Sequence, residues 1–195
     1  MAAPDLDRWL PQPAVRIRHQ REAGCEPAAL WAAAQSVRLS DTRALGRLIR
    51  LRIPGLAPGI SFDELFRARP FTVLQEDDCS LLSGIVGRIW TIRRDYPVLD
   101  SPAAFRTWSG RGTVRVLFAN WAQPTAAGGA TLVSETRVAA VDSRGWLGLA
   151  ALRPLISASS GLIASEGIAA ALGQIQPISL ARSTACARSP TSSLE

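Results

Sequence analysis

Two stretches near the middle of the chain decide the fold: TVRVLFANWA, Thr113–Ala122, and ATLVSETRVAAV, Ala130–Val141. Successive side chains of an extended strand point to opposite faces, so Val114, Val116, Phe118 and Asn120 share one face of the first stretch. Val133, Glu135 and Arg137 share one face of the second. Both stretches are rich in β-branched and aromatic residues, which suit a pleated, half-buried surface. The Pro124–Gly129 segment between them ends in Gly128-Gly129, which suits a tight reversal. The two strands are expected to pair antiparallel.

Toward the N-terminus, Val15 and Ile17 alternate with Arg16 and Arg18, which predicts a first strand between Ala14 and Ala23 with one buried and one wet face. Glu26-Pro27 opens a helix whose Leu30, Trp31, Ala34 and Val37 fall on one side; proline at the first helical position sacrifices no hydrogen bond. A second helix is expected from Asp41, as N-cap, to about Leu51, stopped by Pro54-Gly55 and Pro58-Gly59. It sets Leu45, Leu48 and Ile49, with Arg52, on one side and Arg43, Arg47 and Arg50 on the other.

Ser61 to Tyr96 reads as strand. Phe71–Leu74 and Leu81–Val86 flank the polar turn Gln75–Asp78 as a hairpin, Gly84 and Gly87 mark a bulge or bend, and Arg88–Ile92 continues the sheet or begins its next strand. Ser101-Pro102 starts a short helix through Trp108, which Gly110 and Gly112 end. Beyond the second long strand, Asp142-Ser143 caps a weakly charged helical stretch reaching about Ile175, interrupted at Pro154 and at Ser157–Gly161. From Gln176 onward no periodicity remains, which predicts a disordered tail. The division is thus an N-terminal extension 1–13, one α+β domain 14–175, and a tail 176–195.

Composition narrows the function classes. With 195 residues and 47% hydrophobic content, the chain suffices for one domain with a full core. All 22 basic residues are arginine against 16 acidic ones, a net +6. The arginines are scattered rather than gathered on one face among base-stacking aromatics, which points away from nucleic acid. Cys25, Cys79 and Cys186 are widely spaced with no CxxC pair, which points to reduced thiols rather than a disulfide framework or thiolate metal site. The first ten residues carry Asp5 and Asp7 and no apolar run, so no secretory leader is read there and a cytoplasmic location is expected. A membrane span over Trp146–Ile175 is disfavoured by Arg153, Pro154 and several serines.

Strand, two helices, a run of antiparallel strands with one inserted helix, then a long terminal helix: this order resembles the START-like or Bet v 1-like superfamily, whose bacterial members include polyketide cyclases and lipid carriers. The resemblance rests on Val15–His19 running into Pro27–Trp31, on Gly84–Trp90, on Thr113–Phe118 and on Ser160–Ile163, and it covers about Val15 to Leu172. It implies a helix-grip fold, a curved antiparallel sheet wrapped around the terminal helix, with a mainly apolar cavity between them. It further implies a hydrophobic small molecule or lipid as ligand or, alternatively, a cyclase or aromatase reaction in the same cavity, with no cofactor. Independently of the resemblance, Arg43, Arg47 and Arg50 form either a solvated face or a surface for a peripheral membrane contact or an acidic partner, since basic amphipathic helices dock on anionic headgroups.

The candidate ligand-binding residues are His19, Trp90, Phe118, Asn120 and Glu135. His19 is the only histidine, so a histidine-rich metal site is excluded and any Ser-His-Asp triad would have to use it. Neither a GxSxG elbow nor a GxGxxG or GxxxxGK[ST] phosphate loop occurs. Asn120 and Glu135 would orient a ligand if their strand faces meet in the cavity. In the opposite phase, Leu132, Thr136 and Val138 face inward while Glu135 and Arg137 point to solvent. The sequence leaves the ligand, any reaction and the oligomeric state open.

Overall fold

The two long strands pair as expected. In the computed structural model, which describes residues 3–42, 57, 59–91, 96–152 and 169–173, β4 (Val114–Thr125) and β5 (Gly129–Ala140) run antiparallel from Val114↔Ala140 to Thr125↔Gly129. β5 keeps its expected twelve residues, shifted by one, while β4 runs three residues beyond Ala122 because the ladder continues to the reversal at residues 126–128. There Gly128 adopts φ +82°, a conformation that costs glycine nothing. β1 (Val15–Ala23) joins the outer side of β5, while β3 (Ser80–Gly87) and then β2 (Thr72–Asp77) extend the other side. The result is one open five-stranded antiparallel sheet in the order β1-β5-β4-β3-β2, within an α+β fold.

The two sheet faces are covered differently. One face, here the helix face, carries α1 (Pro27–Ser36) and α2 (Phe62–Arg67). Leu30 and Trp31 of α1 pack with Leu81, Ala122, Ala130 and Leu132, and Ala171 of the helical residues 169–173 is buried in the same cluster. Ser83 fixes α2 to the sheet by donating its hydroxyl to the Phe66 carbonyl at 2.9 Å. At the far end of this face, Leu149 of the helical residues 143–152, hereafter α4, packs on Ile85, Val114, Val116 and Val138. Asp142 caps that helix as expected, accepting Gly145 N–H at 2.8 Å.

The opposite face, here the strap face, is covered by α3 (Pro102–Thr107) and by residues 6–10. Ser101 caps α3 through the Ala104 N–H at 3.3 Å, and Phe105 is driven fully into the core. Leu6, Trp9 and Leu10 are buried beside Leu82, Leu117, Trp121 and Val133. The first residues of the chain therefore form part of the domain's packing rather than an extension outside it.

Further expectations change. α2 falls where a strand was expected, and its start is set by a reciprocal cap: Ser61 accepts Glu64 N–H at 3.1 Å while Glu64 takes the Ser61 N–H at 2.8 Å. The β2–β3 hairpin turns at residues 78–79 rather than over Gln75–Asp78, and the bulge lies in β2 between Val73 and Gln75 rather than at Gly84. The sheet ends at Gly87, so Arg88–Thr91 forms a turn and not a further strand. Asp41 closes a single 3-10 turn, Leu39–Asp41, where its carboxylate accepts the Arg38 N–H at 2.9 Å. The arginine helix expected beyond it, the breaks at Pro154 and Ser157–Gly161, and the tail from Gln176 lie outside the described residues. No helix among those described is long and apolar enough to cross a membrane.

Candidate functional site

Register decides which candidate residues meet. On β1, β5 and β4, His19 faces Ser134 and Ser134 faces Asn120, with Leu81 of β3 completing the row. Directly paired residues on neighbouring antiparallel strands carry Cβ atoms about 5 Å apart. His19, Ser134 and Asn120 therefore form a continuous polar row about 10 Å long on the helix face. One row along stand Ile17, Thr136, Phe118 and Ser83, and on the other side Arg21, Leu132 and Ala122. His19 Nε2 is shielded from solvent yet has no hydrogen-bond partner among the described residues. A buried polar atom left unpaired costs on the order of 1–3 kcal/mol, so it is the atom in this row with most to gain from a ligand.

Aromatic side chains border the row. Phe118 lies 5.4 Å from the Phe66 ring and 5.6 Å, edge-on, from Phe71, and Phe66 and Phe71 are themselves 5.4 Å apart. Phe62 extends the cluster at 6.3 Å from Phe66. Trp90 also packs on the helix face, but in the turn beyond the Gly87–Val114 end of the sheet. At about 3.3 Å per strand residue, that is roughly 20 Å from Asn120, so Trp90 belongs to the wall and not to the row.

Glu135 must be reassigned. It pairs with Ala119, not Asn120, and so stands on the strap face with Arg137. Neither phase considered for β5 is right about it. Leu132, Thr136 and Val138 do face the helices, but Glu135 and Arg137 are buried at 1% and 6% exposure instead of reaching solvent. The Glu135 carboxylate receives Arg137 Nε at 2.7 Å and Arg16 Nε at 2.8 Å, with Arg18 Nη1 at 3.5 Å. Arg137 Nη1 reaches on to Asp7 Oδ1 and to the Leu10 carbonyl at 3.1 Å. Burial pushes the Glu135 carboxyl up, but the hydrogen bonds from Arg16 and Arg137 outweigh it and leave it below the ordinary carboxylate range. Burial likewise favours loss of the Arg137 proton, and the bonds to Glu135 and Asp7 more than reverse that. Fully occupied in holding residues 7–10 to the sheet, this group is structural and offers nothing to a ligand on the other face.

Ser134 is the member of the row that the sequence reading passed over, although it has the same parity as Leu132 and Thr136. Among the described residues, no group of three or more His, Cys, Asp or Glu could hold a metal ion. Burial raises the thiols of Cys25 and Cys79, which favours their protonated, unreactive form. Compared with models of known protein families, with curated proteins and with solved structures, the chain matches none of them.

Proposed function

We propose that the protein binds a mainly apolar small molecule or lipid on the helix face, with a hydrogen-bonding oxygen of that molecule set against His19, Ser134 and Asn120. The observation that carries this reading is the buried His19 Nε2, without a hydrogen-bond partner among the described residues, in a polar row bordered by aromatic and aliphatic side chains. Ligand sites are typically concave and apolar with a few convergent polar groups. The reading takes the sheet and the terminal helical residues as a helix-grip arrangement related to the START-like superfamily, with Phe118 and Trp90 as apolar wall. A second reading, a cyclase or aromatase acting in the same place, draws support from the same imidazole, since a general base must have a free nitrogen within reach of its substrate. It would have to work without Glu135, which lies on the other face.

Native mass spectrometry of the purified protein, followed by organic extraction, tests the reading, with saturable binding of an apolar fluorescent dye as a second measurement. A stoichiometric apolar adduct is expected. His19→Ala or Asn120→Ala should weaken binding by about three- to tenfold each, the worth of one hydrogen bond. A clean apo mass together with no saturable dye binding would sink it.

A further inference from the structure

α4 leaves two of its large apolar side chains outside. A surface helix normally turns its large apolar residues to the core; Leu149 does so here beside the inward glycines Gly145 and Gly148, but Trp146 and Leu147 are 52% and 64% exposed. The glycines explain how the backbone comes to lie so close. A side chain at 145 would run into the Thr113 backbone, and one at 148 into the Trp90 ring. With the helix pressed flat on the sheet end, its two bulky side chains are left outside. Only one other large hydrophobic among the described residues, Val98, is comparably exposed.

The flank of α4 on the Leu147 side is basic. Arg144 is exposed and lies three positions before Leu147, hence on the same helix face. The carbonyl of Gly112 accepts a hydrogen bond from Arg88 Nε at 3.3 Å, and a Cβ on Gly112 would lie 3.7 Å from that of Arg144. Arg111 is exposed beside them. Among the described residues the carboxylate in this cluster, Asp142, is taken up by the N–H groups of Gly112 at 2.9 Å and Gly145 at 2.8 Å, and it opposes one charge to three. An exposed tryptophan and leucine on a helix flanked on one side by arginines have the chemistry of the membrane–water interface, where the ring sits at headgroup depth and the guanidinium groups meet phosphate.

We propose that Trp146 and Leu147, with Arg88, Arg111 and Arg144, dock the protein on an anionic lipid surface. This surface is separate from the His19–Ser134–Asn120 row and does not depend on what that row binds. The number of contacts is small, so binding is peripheral and reversible, and it weakens as salt screens the arginines.

The test is co-sedimentation of the full chain with phosphatidylcholine–phosphatidylglycerol vesicles, against pure phosphatidylcholine vesicles, at low and high salt. Binding to the anionic vesicles alone, lost at high salt, is expected. It should fall at least about tenfold in Trp146→Ser with Leu147→Ser, and by a similar factor in Arg111→Glu with Arg144→Glu. All of these side chains are exposed, and an unchanged thermal midpoint shows that each variant is folded. Wild-type protein that ignores anionic vesicles at low salt overturns the proposal, as does binding that both variants retain. A self-associated species that dissociates in the Trp146→Ser, Leu147→Ser variant, without vesicle binding, assigns the patch to a second copy of the chain and also overturns it.

Discussion

Glu135 carries an acidic proton equilibrium that is tied directly to folding. Its folded-state pKa lies below the ordinary value because Arg16 and Arg137 donate to it, despite burial. An unfolded glutamate titrates near 4.3. The stability Glu135 contributes is therefore whole above about pH 4.3 and is lost as the pH falls through its lower folded pKa. Glu135→Gln should cost on the order of 3 kcal/mol at pH 7, because among the described residues the buried Arg137 then keeps Asp7 alone as counter-charge. Its stability should then fall less steeply than that of the wild type below about pH 4.3. Parallel acid limbs in urea titrations of the two proteins would refute this linkage. The same residue shows where reading the sequence stops. Alternation groups side chains within one strand, but which face of β5 meets which face of β4 is a matter of register, and Asn120↔Ser134 could not be derived from either strand alone. His19, Phe118 and Asn120 were legible as members of their faces; the partnership of His19 with Ser134 was not.

At the scale of elements, the strong signals were those with two independent causes. β4 and β5 combine alternation with a glycine turn, α1 combines Pro27 with an apolar side, and α3 combines a Ser101 cap with Pro102. α2 was missed because Phe62, Leu65 and Phe66 amount to less than two turns of periodicity, too little to outweigh the strand-like text that follows. Its reciprocal cap was nonetheless written in the sequence as Ser61-Phe-Asp-Glu64. Arg67 then locks the last turn, donating to Asp63 at 2.8 Å and to Glu76 of β2 at 2.7 Å. Ser61→Ala should cost about 1 kcal/mol, the usual worth of an N-cap. Because α2 delivers Phe66 to Phe118, the same change should loosen ring packing beside the polar row. Hydrogen exchange would show this as faster exchange at the Leu65–Ala68 amides with β4 unaffected, and uniform acceleration across the sheet would contradict so local a role for the cap.

For the whole molecule, the decisive correction is that the N-terminal residues are a strap. Asp5 Oδ1 accepts the N–H groups of Asp7 at 3.1 Å and Arg8 at 3.2 Å, and Leu10 N–H returns to the Leu6 carbonyl at 2.9 Å. This single turn brings Leu6, Trp9 and Leu10, spaced i, i+3, i+4, onto one side. Five residues are too few to stand out as periodic, which is why an apolar signature this short reads as an N-terminal extension. The strap crosses the sheet, anchored to β5 through Asp7 and Arg137 and to β2 through the Trp9 Nε1 bond to Gln75 Oε1 at 3.3 Å. Burying each of its three apolar side chains contributes about 1.5–3 kcal/mol, against about 1–2 kcal/mol per residue of backbone ordering, so the strap itself comes close to break-even. Its weight lies in what it covers: without it Leu82, Leu117, Trp121 and Val133 lose their cover, and Arg137 loses both Asp7 and the Leu10 carbonyl. Removing residues 1–10 should therefore lower the thermal midpoint by roughly 10 °C, the effect of about 3 kcal/mol in a chain of this size. Exchange should quicken first at β5 and β4, the strands whose strap-side residues are uncovered. A truncated protein that melts with the full chain would make residues 1–10 a dispensable extension after all, and would leave the burial of Glu135 and Arg137 without a stabilising reason.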